Sequence, residues 1–249
     1  MIYNKLSYNR LDNRSRLEGL WNKLSVYTLF WAKPRSKTKS QSKNLLPVLP
    51  SVESKAKRAI DILGALVGLS LTAIIYMLIA PVIYFDDPGP IFYRQTRIGL
   101  HGQSFRIWKF RSMVQDAEKY QHLVPNEAQG HIFKNENDPR VTRIGAILRQ
   151  TSLDEFPQFL NVLKGEMSLV GTRPPTPDEV SRYLPHHFQR LHVKPGLTGE
   201  WQVNGRSTVK DFEEIVKMDL LYQKKWSLGY DFKLIFKTVL VVLTKKGAC

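Results

Sequence analysis

A run of 24 residues without a charged side chain, Ile62 to Phe85, constrains this chain more than any other feature. About 20 apolar residues are enough for a helix to cross a bilayer, and apolar runs in the cores of soluble proteins are usually shorter. The run begins some sixty residues into the chain and is too long for a cleaved signal peptide. We therefore predict a membrane-binding helix within residues 57–88.

The charges on either side of this run indicate how it meets the membrane. Residues 1–58 carry 13 Lys and Arg against 3 Asp and Glu, and the remainder carries 24 against 19, so +10 and +5 make up the net charge of +15. Positive charge near a membrane segment favours the cytoplasmic side, so a spanning helix would leave one basic flank on the opposite side. A re-entrant helix removes the conflict, and Gly64, Gly68 and Pro81 are places where it can break. A single-span anchor and a buried core helix remain the alternatives.

Length and composition limit the rest of the chain. About 160 residues follow the apolar run, enough for one globular domain over 89–249. The one cysteine, Cys249, permits no internal disulfide and no cysteine metal site, which fits a reducing cytoplasm. A net charge of +15 predicts an anionic partner. No nucleic-acid-binding module is recognisable, so a lipid head group or a nucleotide is favoured over nucleic acid.

Hydrophobic periodicity predicts the order of elements. Within the basic N-terminal tail, 1–56, apolar residues at helical spacing predict an amphipathic helix over 17–32, and residues 33–54 are typical of a flexible tether. Two strands, at 91–93 and 105–110, flank a turn at 101–103, and the polar stretch 116–137 is a candidate flap. The last predicted helix has an apolar face bordered by lysines, which suits an interfacial helix or core burial equally. The predicted class is α+β, mostly helical and membrane-associated, with helices over 142–150, 153–164, 177–191, 209–226 and 230–244.

Four segments concentrate basic residues and glycine around one acidic pair: 109–113, 149–155, 171–175 and 194–206. Arg captures phosphate through two hydrogen bonds, and Lys binds it as a point charge. The pattern predicts a diphosphate ligand.

The acidic pair is Asp154 and Glu155. Ser152 and Glu155 match the S-x-x-E capping box, so a purely structural role is open. The two roles are compatible, because a helix N-terminus itself attracts anions. In the functional interpretation Asp154 attacks a phosphoryl group with Arg149 nearby, and Glu155 binds Mg²⁺ together with substrate phosphate.

Several motifs together resemble the bacterial sugar transferase family, the monotopic phosphoglycosyl transferases. They are KRAID at 57–61, DPGPIF at 87–92, KFRSM at 109–113, TSLDEFPQFLNVLKGEMSLVGTRP at 151–174, KPGLTG at 194–199 and WQVNGRS at 201–207. The resemblance covers roughly residues 55–246. It implies transfer of a phosphosugar from a UDP-sugar to polyprenol (undecaprenyl) phosphate, with UMP as the second product, through a covalent aspartyl intermediate.

The resemblance also implies residue roles. Asp154 is the nucleophile, and Glu155, with Asp154, holds the cofactor Mg²⁺. The other implied residues are Arg149 and Arg173 for the diphosphate, Lys109 and Arg111 for substrate phosphate, and Asn204, Gly205 and Arg206 for the nucleotide.

The implied location is the cytoplasmic face of a bacterial inner membrane, and the implied step is the first one of exopolysaccharide or glycoconjugate synthesis. The resemblance does not decide whether the protein is a homo-oligomer. The chain departs from the family pattern in one place. Family members often have a Ser-Pro break in the middle of the membrane helix, where this chain has Thr-Ala-Ile-Ile at 72–75. The alternative function is a membrane-bound scaffold or regulator that binds nucleotide-sugar or lipid phosphate without turnover.

Overall fold

The computed structural model describes residues 49–128, 130, 132–133, 135, 137–205, 209 and 211–244. The chain separates into two compact units, Met1–Asn44 and Leu45–Cys249, and all the described residues belong to the second. The predicted amphipathic helix at 17–32 and most of the predicted tether lie outside the described residues.

The second unit is mostly helical, as predicted, with two small two-stranded sheets. Its helices are α1 (Pro50–Glu53), α2 (Lys55–Asp86), α3 (Arg143–Gln150), α4 (Phe159–Lys164), α5 (Pro177–Ser181), α6 (Glu200–Asn204), α7 (Phe212–Lys225) and α8 (Leu228–Thr244). Its strands are β1 (Phe92–Ile98), β2 (Ser104–Phe110), β3 (Ser168–Val170) and β4 (Gly196–Thr198). Short 3₁₀ helices lie at Leu100–Gly102, Ala117–Leu123, Leu153–Gln158 and Pro185–His192.

Helix α2 contains the whole uncharged run and continues through Pro81 for 32 residues. Ser54 caps it by accepting a hydrogen bond from the backbone N–H of Lys57 at 3.2 Å. By length and composition it is able to cross a membrane. Its most apolar stretch of 18 residues has a mean hydropathy of 2.4, and only 17% of that stretch is buried. A helix in the core of a soluble domain is mostly buried, so this exposure speaks against the core-helix alternative.

Both ends of α2 are bonded to the same unit. Near its start, Lys57 Nζ lies 2.6 Å from Asp231 Oδ2 of α8. At its end, the carboxylate of Asp86 accepts from the backbone N–H of Ile144 at 3.2 Å. The helix therefore runs along the domain and does not project from it.

Two glycines let α2 lie close to the domain. A Cβ at Gly64 would be 2.6 Å from Leu169 Cδ1, and one at Gly68 would be 2.4 Å from the ring of Phe159. Neither position has room for a side chain unless its neighbour moves. These glycines, predicted as places where the helix breaks, are helical contact positions instead.

Strands β1 and β2 form an antiparallel hairpin that pairs Phe92 with Phe110 and Ile98 with Ser104. The connection contains His101 at φ 53° and Gly102 at φ 77°, which confirms the predicted turn. Strand β1 extends past its predicted end at residue 93, because the hairpin pairs the polar residues that follow as well.

Strands β3 and β4 are parallel and bring two of the basic segments together. Ser168 pairs with Gly196 and Val170 with Thr198. A Cβ at Gly171 would lie 2.2 Å from the carbonyl oxygen of Lys194, so the two backbones touch. Segments 171–175 and 194–199 are therefore neighbours.

Two predicted helices are interrupted. A single helix over 177–191 is wrong: α5 ends at Ser181, and a 3₁₀ helix begins at Pro185, which lacks the N–H that a continuing helix would need. The predicted helix 153–164 begins as a 3₁₀ helix that contains Pro157 and becomes α-helical only at Phe159.

Helix α8, the last predicted helix, shows both of the roles that were predicted as alternatives for its apolar face: burial in the core and an apolar surface that faces outward. Leu234 is 1% exposed and packs with Val170 and Tyr222, so one face belongs to the core. Phe232 and Phe236 are 55% and 65% exposed, so a second apolar face points outward. Core burial and an outward apolar surface therefore coexist on this helix.

Candidate active site

A cavity of about 600 Å³ lies between the hairpin, the 3₁₀ helix Leu153–Gln158, strand β4 and helices α6 and α8. Part of its lining is charged, from Arg97, Lys109, Glu155 and Arg173. The remainder is largely apolar and comes mainly from α8 and the phenylalanines that precede and begin α4. A second, more open depression of about 440 Å³ on α2 has no charged residue in its lining.

The acidic pair lies in the first turn of the 3₁₀ helix, opposite strand β2. Lys109 Nζ, on β2, is 2.7 Å from Glu155 Oε1 and 3.7 Å from Asp154 Oδ2. Asp154 is buried, at 5% exposure, while Glu155 lines the cavity. The ammonium group of Lys109 thus lies beside two adjacent carboxylates, of which one is buried and the other lines the cavity.

The capping-box interpretation of Ser152 and Glu155 is wrong. A residue that caps a helix through its side chain has extended backbone angles, but Ser152 is left-handed, at φ 57°, and makes no side-chain cap bond. Glu155 instead reaches Lys109. The carboxylate is therefore directed to the cavity and not to the helix end.

Arg173 lies on the cavity wall with its charge partly balanced. Its Nη1 is 3.0 Å from Glu179 Oε2, and its guanidinium is 5.9 Å from the ring centroid of Trp201. Burial acts to raise the pKa of Glu179, but the attraction of Arg173 outweighs it, so that pKa is lowered. The pair is therefore ionised, and Arg173 lines the cavity beside Trp201.

Arg97 is a cavity residue that the sequence did not single out. Its Nη1 donates to the carbonyl of Pro174 at 2.9 Å and its Nη2 to Gln95 at 2.6 Å, while its Nε is buried without a partner among the described residues. Burial, and then the nearby charge of Arg173, lower the pKa of Arg97 to about 10. At neutral pH it is still a cation.

Three buried polar atoms, on α6 and on the 3₁₀ helix Leu153–Gln158, were also not predicted from the sequence. Gln158 Nε2, Trp201 Nε1 and Gln202 Oε1 belong to cavity-lining residues, are buried, and lack partners within the part of the chain that the structure describes. All three lie within motifs that resemble the family, at 151–174 and 201–207, but no role was predicted for these particular positions.

Two arginines predicted to bind phosphate lie away from the cavity lining. Arg111 is 6% exposed and its Nη1 is 3.2 Å from Asp87 Oδ2, so it fixes the end of α2. Arg149 Nε donates to Ser112 Oγ at 3.0 Å. Both are near the site without lining it.

Two of the predicted nucleotide residues, Asn204 and Gly205, also lie outside the lining. Asn204 donates to Glu200 at 2.6 Å and accepts from Lys237 at 3.1 Å. Gly205 is buried, with Val209 close to it, and Arg206 lies outside the described residues. The structure brings together Asp154, Glu155, Lys109 and Arg173 from the predicted set.

The donor set of the acidic pair fits Mg²⁺. Adjacent carboxylates are hard oxygen ligands, and Mg²⁺ typically takes one or two of them together with substrate phosphates. The ammonium group of Lys109 lies 2.7 Å from Glu155, so this carboxylate already stabilises one positive charge.

A different group of potential metal ligands, His186, His187 and Glu213, does not fit a metal. Their ligand atoms lie within 4.8 Å of one another. However, His187 Nδ1 accepts from the backbone N–H of Leu184 at 3.0 Å, which leaves the proton of the neutral ring on Nε2. That nitrogen faces Glu213 at 2.6 Å as a donor, with no lone pair for a metal.

The described unit thus combines a helix that is able to cross a membrane by length and composition with a cavity whose charged lining is mostly cationic. A family model described as bacterial sugar transferase matches residues 52–245. The chain belongs to the bacterial sugar transferase family.

Three relatives illustrate the similarity. Galactosyl transferase CpsE of Streptococcus agalactiae serotype III is 50% identical over 195 residues, which are 78% of this chain and 43% of that protein. Exopolysaccharide production protein ExoY of Rhizobium meliloti is 42% identical, over 78% of this chain and 88% of that protein. The UDP-glucose:undecaprenyl-phosphate glucose-1-phosphate transferase of Escherichia coli K12 is 40% identical, over 82% and 45%. The chain thus spans less than half the length of the first and third.

Proposed function

We propose that this chain transfers a sugar phosphate from a UDP-sugar to undecaprenyl phosphate, forming undecaprenyl diphosphate-sugar and UMP at the start of polysaccharide synthesis. The observation that carries the proposal is the acidic pair on a cationic cavity: Asp154 and Glu155 within 3.7 and 2.7 Å of Lys109. The names of the relatives from Escherichia coli and Salmonella typhimurium, both transferases to undecaprenyl phosphate, support this substrate class.

In the proposed reaction Asp154 is the nucleophile. A carboxylate oxygen attacks the phosphorus that bears the sugar, and the bond from that phosphorus to the bridging oxygen breaks. UMP leaves with the bridging oxygen, and the sugar phosphate stays on Asp154 as an acyl phosphate. An oxygen of undecaprenyl phosphate then attacks the same phosphorus and releases the carboxylate, so no water or further reactant is consumed.

The cationic residues supply charge neutralisation, which provides most of the catalysis in phosphoryl transfer. Lys109, between the two carboxylates, binds the reacting phosphate, while Arg97 and Arg173 bind the oxygens that UMP carries away. Glu155, with Asp154, would hold Mg²⁺, which when bound neutralises diphosphate charge.

The proposed setting is one face of a membrane. The outward side of α2 is apolar, with Leu63, Val67 and Met77 at 65%, 64% and 73% exposure. Since both ends of α2 are bonded to the same unit, a helix that stays at one face of the bilayer without crossing it is consistent with those contacts. The flanking positive charge favours the cytoplasmic face.

The test is UMP release by the protein in lipid nanodiscs supplied with a panel of UDP-sugars, undecaprenyl phosphate and Mg²⁺. Asp154→Asn removes the nucleophile and is expected to lower turnover at least 1,000-fold, while the exposed Asp178→Asn serves as the matched control and retains activity. Substantial turnover in Asp154→Asn would refute the nucleophile. Tight UDP-sugar binding without any UMP release in the unsubstituted protein would favour the scaffold alternative.

A further inference from the structure

The apolar part of the cavity is formed by helices that also have outward apolar faces. On α8, Ile235, Thr238, Val239 and Val242 recur at helical spacing and line the cavity with one side of the helix. Gly64 of α2 lines the same cavity. Apart from the faces of its uracil and sugar rings, a UDP-sugar is polar, so the donor does not account for an apolar surface that extends along α8.

The apolar lining continues to the outside of the molecule. Val239 lines the cavity and is also 50% exposed. Its neighbours on α8, Phe236 and Leu240, are 65% and 45% exposed, and Leu63, next to Gly64 on α2, is 65% exposed. The cavity therefore opens onto the surface that we propose faces lipid.

The charged part of the cavity is continuous with this apolar part. Glu155 and Phe156 are consecutive residues of one 3₁₀ helix and both line the cavity, as does Phe159 one turn later. A ligand that satisfies the whole lining has a phosphate head for Lys109 and a long apolar tail that leaves the cavity beside Val239.

We propose that this apolar part is the subsite for the prenyl chain of the acceptor, which enters from the membrane between α2 and α8. The first isoprene units lie against Phe159, Val239 and Val242, and the phosphate reaches Lys109. The inference rests on the proposed function and adds the acceptor's position to it.

The two half-reactions separate this subsite from the donor site. Donor cleavage releases one equivalent of UMP without acceptor, whereas turnover needs the prenyl chain. Val242→Trp fills the apolar part, and Leu240→Trp places the same side chain on the outward face as a control. Val239→Phe is the second variant should circular dichroism show that Val242→Trp does not fold.

The expected result is a rise of 10-fold or more in KM for undecaprenyl phosphate in Val242→Trp or Val239→Phe, with the acceptor-free burst of UMP within 2-fold of the unsubstituted protein. A prenyl phosphate of two isoprene units should be affected less, and Leu240→Trp should change neither quantity. A KM within 2-fold in both cavity variants, or a burst that falls in step with turnover, would overturn the subsite. No burst in the unsubstituted protein would instead reject the covalent intermediate, and no UMP release even with acceptor would reject the proposed function itself.

Discussion

Arg97 is held in the cavity wall at a cost to the folded state. Burial and the nearby charge of Arg173 lower its pKa to about 10, which means that folding disfavours its charged form. Below about pH 10 the charge opposes folding in full, and the penalty shrinks as the pH rises from there toward the ordinary pKa of an arginine in the unfolded chain. A partly buried cation whose Nε has no partner among the described residues is explained if its charge serves an anionic ligand.

This leads to a prediction for Arg97→Gln. Without ligand, the variant is expected to unfold no more than about 2 °C below the unsubstituted protein, because the lost hydrogen bonds are offset by relief of the buried charge. The rise in unfolding temperature caused by UMP should fall by at least half. Thermal unfolding with and without UMP, in detergent, measures both, with the exposed Arg94→Gln of the same strand as control. A variant that is strongly destabilised yet keeps its full UMP shift would make Arg97 structural.

The site residues show how far a sequence predicts side-chain position. The clustering of charge predicted Lys109 and Arg173 near Asp154, because each lies in one of the short basic segments that were predicted to surround the acidic pair. Arg111 was placed there on the same grounds, but its partner is Asp87, on a segment that only the fold brings close. Arg97 had no acidic neighbour in sequence, and its position depends on the full length of β1.

At the scale of elements, a buried polar network joins α2 to α8. Besides its bond to Lys57, Asp231 accepts from Tyr222 OH at 2.9 Å and from Trp226 Nε1 at 3.1 Å. Lys57 Nζ also donates to the carbonyl of Val170 at 3.0 Å. The KRAID motif, which the sequence identified only as a family feature, thus holds the start of α2 on the domain.

Removing one partner of this network should be costly. Lys57→Met leaves the carboxylate of Asp231 buried without its cation, and we expect it to lower the free energy of unfolding by about 3–5 kcal/mol. The double variant with Asp231→Asn should recover at least half of that loss, because no uncompensated charge remains. Urea unfolding in detergent micelles measures both, with the exposed Lys55→Met as control. Equal stability of the single and double variants would contradict the coupling.

The elements also differ in how well the sequence predicted them. The hairpin was recognisable because its turn residues and flanking apolar runs are local signals. The interruptions at Pro157 and Pro185 lie inside apolar patterns that continue in helical spacing, so the periodicity concealed them. The parallel pairing of β3 with β4 has no local signal, since it joins segments that are about 25 residues apart.

At the scale of the whole molecule, the apolar surfaces of α2 and α8 and the charged cavity belong to one described unit. This arrangement suits chemistry on the head group of a long lipid, because the reacting phosphate never has to leave the interface. It also limits the topology of α2: the bonds at Lys57 and Asp86 connect its two ends to the same domain, and a domain this polar stays on one side of a bilayer.

The prediction is that both flanks of α2 are accessible from the same side of the membrane. In a background with Cys249→Ser, single cysteines at Ala56, in the first turn of α2, and at Lys119, after the helix, should react with a membrane-impermeant maleimide in inverted vesicles and stay protected in right-side-out ones. Met77→Cys, in the exposed apolar stretch, should react in neither until detergent is added. Reaction of Ala56→Cys and Lys119→Cys from opposite sides would make α2 a true span and would require the contacts at one of its ends to break in the membrane.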